Sequence, residues 1–391
     1  MARMVKRRFW IAMIERAWLE RSVVWLAGVR RAGKTFLARS FPDIEYFDCE
    51  LPRVRRSLED AEGFLENMNG RRIALDEIHR LGNASELLKI AADHYPDVRV
   101  LATGSSTLGA SKRFKDTLAG RKRDIWLTPL CSFDLDDFGS RDFEHRLSRG
   151  GLPPFFMAKG FPERDYQEWF DSFWAKDIQE LFRLEKRASF QRFAELCMMQ
   201  SGGIFEATSF AAPCEASRQT IANYLKVLEA TFVVHVIRPF SGRRSNEIVS
   251  APKIYAFDTG FISYFRGWKE LRPSDLGSLW EHFVLNEMIA RMQSRRINYW
   301  RDKRGHEVDF VLAGRGRDPV AIECKWSAAE FSGANLAAFR RQYPKGSNYV
   351  IARDVTRSFV RRVGDSKIRF IGLTSLGAAA REAGMETAGS D

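Results

Sequence analysis

The stretch Gly28-Val29-Arg30-Arg31-Ala32-Gly33-Lys34-Thr35 fits the pattern G-x-x-x-x-G-K-[ST], in which backbone amides and a lysine cradle phosphate groups. Each residue type has a chemical task. The two glycines let the backbone turn tightly, so that successive N–H groups face phosphate oxygens, and a helix opening at this point adds its positive end. Lys34 would reach the β- and γ-phosphates, and the Thr35 hydroxyl would hold Mg²⁺. The flanks suit the task. Ser22-Val23-Val24-Trp25-Leu26-Ala27 reads as a buried strand, and Phe36-Leu37-Ala38-Arg39 can open a helix. The expected ligand is ATP with Mg²⁺.

Downstream, Arg72-Ile73-Ala74-Leu75-Asp76-Glu77 is a short apolar run ending in two acids. Buried parallel strands are continuous apolar runs, and functional residues sit at their carboxyl ends. Asp76 would hold Mg²⁺ through the outer shell. Glu77 would orient and deprotonate a water, which points to ATP hydrolysis rather than passive binding. The next strand, residues 98–103, runs into Gly104-Ser105-Ser106. Ser105 can sense the γ-phosphate or the lytic water; equally, these serines can cap a helix. Arg121, before a strand at residues 124–127, can act as a guanidinium lent to a neighbouring copy of the chain, or be a solvated surface residue.

A second constellation lies near the other end. Glu281 sits on a predicted helix, Asp309 ends the strand after Gly305-His306-Glu307, and Val320-Ala321-Ile322 leads to Glu323-Cys324-Lys325. Strand alternation puts Glu323 and Lys325 on one face and Cys324 on the other. The set resembles the PD-(D/E)xK nuclease superfamily. That resemblance implies that Asp309 and Glu323 ligate Mg²⁺, that Lys325 activates a water, and that Glu281 faces them from its helix. Arg301, Lys303, Arg304, Arg315 and Arg317 flank the set and can hold a phosphodiester backbone. The plain alternative is a nuclease-like fold that only binds, with Asp309 and Lys325 in an internal salt bridge.

In this order, G-V-R-R-A-G-K-T, L-D-E-I-H-R, T-G-S-S, L-A-G-R and P-L-C-S-F resemble the AAA+ ATPases of AAA family 14. The later segments A-P-K-I-Y-A-F-D-T-G and G-H-E-V-D-F resemble the domain of unknown function 4143 that such proteins usually carry. Together the resemblance spans residues 5–375. One position departs from it. Lys176 precedes Asp177 where relatives tend to have arginine, so no charge role is carried over there.

Positioning these groups takes several elements. The chain of 391 residues is long enough for two or three domains with substantial cores. Residues 1–149 read as an α/β P-loop AAA+ domain with a parallel sheet, led by a basic amphipathic helix. Residues 150–245 read as a helical, winged-helix-like segment beginning at Gly150-Gly151-Leu152-Pro153-Pro154. Residues 246–376 read as the α/β nuclease-like domain, and residues 377–391 as a tail expected to fray. Periodic aromatics Tyr166, Trp169, Phe170, Phe173 and Trp174 mark core rather than a ligand box. In residues 204–240, Ser217, Arg218, Gln219 and Asn223 would be the exposed side chains of a recognition helix, with residues 232–237 as the wing. The alternative is an ordinary structural winged-helix module used for contacts between proteins.

Sixty-two Lys+Arg against 50 Asp+Glu give a net charge of +12, which favours polyanionic partners, DNA first. The excess is uneven: residues 1–40 hold ten basic and two acidic side chains, and residues 291–317 eight and three. Five scattered cysteines and six scattered histidines suit reduced thiols in a cytoplasmic protein, not a disulfide framework or a zinc site. The apolar run at residues 9–14 is too short for a signal peptide or a membrane span. The expectation is an ATP hydrolase, able to form homo-oligomers, coupled to DNA binding or metal-dependent nuclease action. The alternative is an ATP-switched binding protein.

Overall fold

A computed structural model describes residues 5–104, 117–179, 186–242 and 251–385. The first sheet contains β1 (Val23–Ala27), β2 (Ile44–Asp48), β3 (Arg72–Asp76), β4 (Arg99–Thr103) and β5 (Lys122–Trp126), in the order β2-β3-β4-β1-β5. All of its pairings are parallel. The apolar composition follows from burial on both faces: β1 is buried at every position, and β3 and β4 at every position after their leading arginines. The helix Ala84–His94, which joins β3 to β4, buries Leu87, Leu88 and Ala91. Because the strands run the same way, the ends of β1 and β3 deliver Gly28 and Glu77 to one rim of the sheet.

Ahead of β1, the helix Arg8–Glu20 buries Trp10, Met13, Ile14, Ala17 and Trp18 at helical spacing. Arg7 is itself buried, paired with Asp134 at 2.7 Å. Part of the basic excess at this end is therefore consumed inside the protein.

The second sheet is mixed. It holds β6 (Val234–Pro239), β7 (Lys253–Ala256), β8 (Asn298–Arg301), β9 (Glu307–Leu312), β10 (Val320–Lys325), β11 (Asn348–Ala352), β12 (Phe359–Val363) and β13 (Ser366–Ile371), in the order β12-β13-β11-β10-β9-β8-β6-β7. The strand expected as a wing is β6, and it is an interior member of this sheet. It pairs antiparallel with β7 and parallel with β8. Its buried Val234, His235 and Ile237 explain why a free wing would not suit this sequence.

The expected division at residue 245 thus falls between two hydrogen-bonded strands. The Gly150-Gly151 junction is equally tight. The Asp258 carboxylate accepts from the amides of Gly151 at 2.7 Å and Leu152 at 3.1 Å. A Cβ on Gly150 (φ +77°) would lie 2.1 Å from Asp258 Oδ1, so only glycine fits.

Between β5 and β6 the chain forms, among others, the helices Glu163–Ser172, Arg187–Met199 and Arg218–Ala230, with a wider π-helical stretch at Phe173–Ile178. The aromatic stripe is core, as expected: Trp169 stacks on Phe173 and Phe257 at 5.2 and 5.3 Å. Ser217 caps the helix Arg218–Ala230, whose Arg218, Gln219 and Asn223 are exposed and whose Ile221, Tyr224 and Leu228 are buried. One continuous apolar core runs from Trp10 to Ala383. The expected fraying therefore does not begin at residue 377: Leu376–Glu382 is a helix that buries Ala379 and Ala380. All five cysteines are free and buried, and no helix of the described residues is long and apolar enough to cross a membrane.

Candidate active site

The turn after β1 has the shape that its glycines dictate. Gly33 adopts φ +99°, a left-handed conformation that an L side chain strains to reach, immediately before the helix Lys34–Ala38. A Cβ on Gly28 would sit 2.6 Å from the Leu127 carbonyl oxygen. Lys34 folds into the loop and donates to the carbonyls of Gly28 at 2.9 Å and Val29 at 3.2 Å. Burial pushes its pKa down, against the opposing pull of Glu77, Asp177 and Asp76. Val29 and Ala32 are buried in the core, which leaves only their backbone for a ligand. Arg31 turns outward to Asp165 at 3.5 Å and Glu168 at 3.7 Å.

Asp76, at the end of β3, is fixed by three hydroxyl groups. Thr35 Oγ1 donates to its Oδ2 at 2.7 Å, the Tyr46 hydroxyl donates to the same oxygen, and Thr103 donates to Oδ1. Burial, with Asp76 alongside, raises the Tyr46 phenol pKa. Glu77 follows in a left-handed conformation (φ +52°), which costs about 1–3 kcal/mol in a non-glycine residue. Its amide donates to Thr103 Oγ1 at 3.3 Å, and its carboxylate lies 3.1 Å from His79 Nδ1. Burial opposes the Glu77 charge, but the His79 hydrogen bond and Lys34 outweigh it and hold the carboxyl below its ordinary value. It stays an ionised base at neutral pH.

Gly28, Arg30, Lys34, Thr35, Asp76 and Glu77 line one cavity of about 240 Å³, whose wall also includes His79, Arg80 and Asp177. The set fits a magnesium-bound triphosphate. The Thr35 hydroxyl and Asp76 carboxylate form the hard-oxygen pair that Mg²⁺ prefers, and cations stand opposite.

One expected residue lies outside the described residues, and another lies away from the loop. Ser105 falls outside the described residues; the hydroxyl that the end of β4 brings to Asp76 is that of Thr103, two positions earlier. Arg121 precedes β5 and sits at the edge of the sheet where the strands begin, away from the loop rim. There its Nε contacts Asp93 at 2.8 and 3.0 Å. Nothing in its local pattern marks Tyr46, while Thr103 and Asp177 stand inside quoted strings, T-G-S-S and the Lys176-Asp177 pair, with no role at the cavity assigned to either. His79 stands inside the L-D-E-I-H-R string and was legible only as part of it.

The second constellation does assemble, with one correction. Asp309 is the third residue of β9, not its last, because the strand extends to Leu312. Its Oδ2 accepts from the Cys324 amide at 2.7 Å. Lys325 Nζ lies 2.8 Å from Glu323 Oε2 and 3.9 Å from Asp309 Oδ2, on the face opposite the buried Cys324. Glu281 accepts from the Tyr255 hydroxyl and faces Lys253 Nζ at 3.5 Å; Lys253 also pairs with Glu307 at 2.6 Å. Burial, reinforced by Glu281, pushes Asp309 up to about 7, and burial with Asp309 pushes Glu323 up to about 8.

The residues fit a metal ion only in part. Glu323 Oε1 is buried with no hydrogen-bond partner among the described residues, yet two lysines already serve these acids. No group of three or more acidic, histidine or cysteine side chains among the described residues is placed to hold a metal. The flanking Arg301, Lys303, Arg304, Arg315 and Arg317 are all exposed.

Three family models match the chain. Residues 20–134 match an AAA domain, residues 140–272 a domain of unknown function 8612, and residues 276–370 the domain of unknown function 4143. The chain is 29% identical over 335 residues to uncharacterised proteins of Mycobacterium tuberculosis and Mycobacterium bovis, a match covering 82% of this chain and 74% of each relative. Among solved structures, a Walker-type ATPase of Pyrococcus abyssi shares 14% identity over 67% of this chain and 96% of its own, with a TM-score of 0.44. The DNA clamp loader delta protein of Bacillus subtilis shares 12% over 71% and 98%, with a TM-score of 0.26. The chain thus joins an AAA domain of the family 14 type, an ATP-binding module, to the domain of unknown function 4143.

Proposed function

We propose that this protein hydrolyses ATP and uses the cycle to change how its C-terminal domain holds nucleic acid. One observation carries the first half: Lys34, Thr35, Asp76 and Glu77 converge on a single cavity, with Glu77 ionised and strained toward it. Lys34 and the amides at the start of the helix Lys34–Ala38 bind phosphates, while Thr35 and Asp76 would hold Mg²⁺, which neutralises charge on the transferred phosphoryl group. Glu77 takes the proton of the attacking water, and His79 keeps that carboxylate oriented. The test is a pair of variants. Lys34→Ala removes ATP binding, whereas Glu77→Gln keeps binding and slows hydrolysis by roughly 10²–10⁴-fold. Equal turnover by wild type and Glu77→Gln would refute the assignment.

For the C-terminal domain, the lysines favour binding over cleavage. Lys253 already pairs with Glu281 and Glu307, and Lys325 with Asp309 and Glu323. The exposed arginines and lysine of residues 301–317 supply a backbone-binding surface. Affinity for DNA should then fall steeply between 50 and 200 mM salt, as counterion release requires. Plasmid incubated with the protein and Mg²⁺ or Mn²⁺ should stay intact. Cleavage that EDTA stops, and that Asp309→Ala and Glu323→Ala abolish, would restore the nuclease reading.

A further inference from the structure

Asp177 is a buried acid in the nucleotide cavity that the proposed chemistry does not use. It comes from the wider helical stretch Phe173–Ile178, not from the AAA segment. Its side chain lines the cavity beside Arg30, Lys34 and Glu77. Its Oδ2 is buried and accepts no hydrogen bond among the described residues. Its ionic contact is with the loop residue Arg30, whose Nη1 stands 3.9 Å away. A carboxylate with one oxygen buried and, among the described residues, accepting no hydrogen bond is costly to hold in place, so something other than stability is needed to explain it.

The same helical segment grips the loop at further points. The Trp169 indole donates to the Arg30 carbonyl at 2.9 Å, and Asp165 and Glu168 face Arg31. A triphosphate in the cavity would need the same cations that Asp177 faces, and two anions cannot share them without repulsion.

We infer that Asp177 competes with the nucleotide: its carboxylate holds Arg30, and an incoming triphosphate takes over that cation and releases the stretch Phe173–Ile178 from the loop. This makes the helical segment the direct reader of nucleotide occupancy, and it rests on the ATP-site reading above. The contact is weak by construction. At 3.9 Å, and without a supporting hydrogen bond, it yields to a polyphosphate that Lys34 and the loop amides also bind.

The experiment measures equilibrium binding of a fluorescent, non-hydrolysable ATP analogue with Mg²⁺ to wild type, Lys34→Ala and Asp177→Asn. Asparagine keeps the volume and removes the charge. Asp177→Asn should bind roughly three- to tenfold tighter than wild type, the range expected for lifting one like-charge contact in a partly screened site. Unchanged or weaker binding by Asp177→Asn overturns the inference while leaving the ATP site standing. Failure of wild type to bind, or equal binding by Lys34→Ala, instead overturns the ATP site itself. Hydrogen exchange of the wild-type protein gives a second reading that needs no variant. The analogue should speed exchange at amides 173–178, and slower or unchanged exchange there would equally overturn the release.

Discussion

Gln293 and Trp126 exchange two hydrogen bonds at the edge of the parallel sheet. The Trp126 amide donates to Gln293 Oε1 at 2.7 Å, and Gln293 Nε2 donates to the Trp126 carbonyl at 3.3 Å. A side-chain amide here does the work of a neighbouring strand, and it belongs to the residue that ends the helix Pro273–Met292. β5 is an edge strand of its sheet, so the pairing also blunts an exposed ladder. Gln293→Ala should lower stability by about 1–2 kcal/mol, read from the denaturant midpoint. A midpoint unchanged from wild type would show that water replaces the amide without cost.

Arg121 tests assembly. If it serves a neighbouring copy, Arg121→Ala should leave ATP binding intact and slow turnover about 10³-fold. Specific activity should then rise with protein concentration. A concentration-independent activity, in a protein that stays monomeric with ATP, would confine Arg121 to its pairing with Asp93.

Lys253 tests what the second cluster is for. Lys253→Met leaves Glu281 without its cation and Glu307 with Arg301 alone, at 3.8 Å, and should cost about 2 kcal/mol, the buried-pair penalty reduced because both acids are partly exposed. Under the binding reading, millimolar Mn²⁺ should leave the wild-type melting temperature unchanged. A clear upward shift, lost in Asp309→Asn, would mean that the acids hold a metal after all.

Two buried histidines set the acid limit. Burial lowers His235 to about 3 and His282 to about 4. Both are neutral in the fold: His235 Nε2 donates to Asn286 Oδ1, while His282 Nδ1 donates to the Ser278 carbonyl and its Nε2 accepts from Ser201. In the unfolded chain each takes a proton near pH 6.5, so unfolding absorbs protons below that value. Their contribution is fully present above about pH 6.5 and is lost as pH falls toward 4. His282→Gln should flatten the fall in stability over that window, as measured by denaturant unfolding at several pH values. An equally steep fall in the variant would assign the effect to other groups.

The sequence made some of these residues legible and hid others for a physical reason. Gly33, Lys34, Thr35, Asp76 and Glu77 lie in strings where each residue type is required by the chemistry it performs. β1, β3 and β4 were visible because a strand buried on both faces has no polar side to interrupt it. Tyr46 was not, since it is an ordinary strand residue until topology brings it to Asp76, and Thr103 opens the T-G-S-S string but takes its place beside Asp76 only through that topology. Residues 232–237 suit a wing on sequence alone because a strand's own sequence does not name its partner; β7 and β8 do that. Lys253 reaches Glu281 across 28 positions, a neighbour that no local pattern contains.

The helix Pro273–Met292 carries Glu281 in the acidic cluster and Glu287, whose carboxylate accepts from the amide of Ser132 at 2.9 Å and from its hydroxyl at 2.6 Å. Six residues on one helix span about 9 Å. The grip on Ser132, which closes the AAA segment, and the acid beside Lys253 therefore ride on the same rigid strut. A strut conveys displacement rather than charge: if the AAA domain rocks at Ser132, the cluster tilts with it. Ser132 of the AAA segment and the acidic cluster are then linked as the two ends of a lever, with no ligand or proton passing between them.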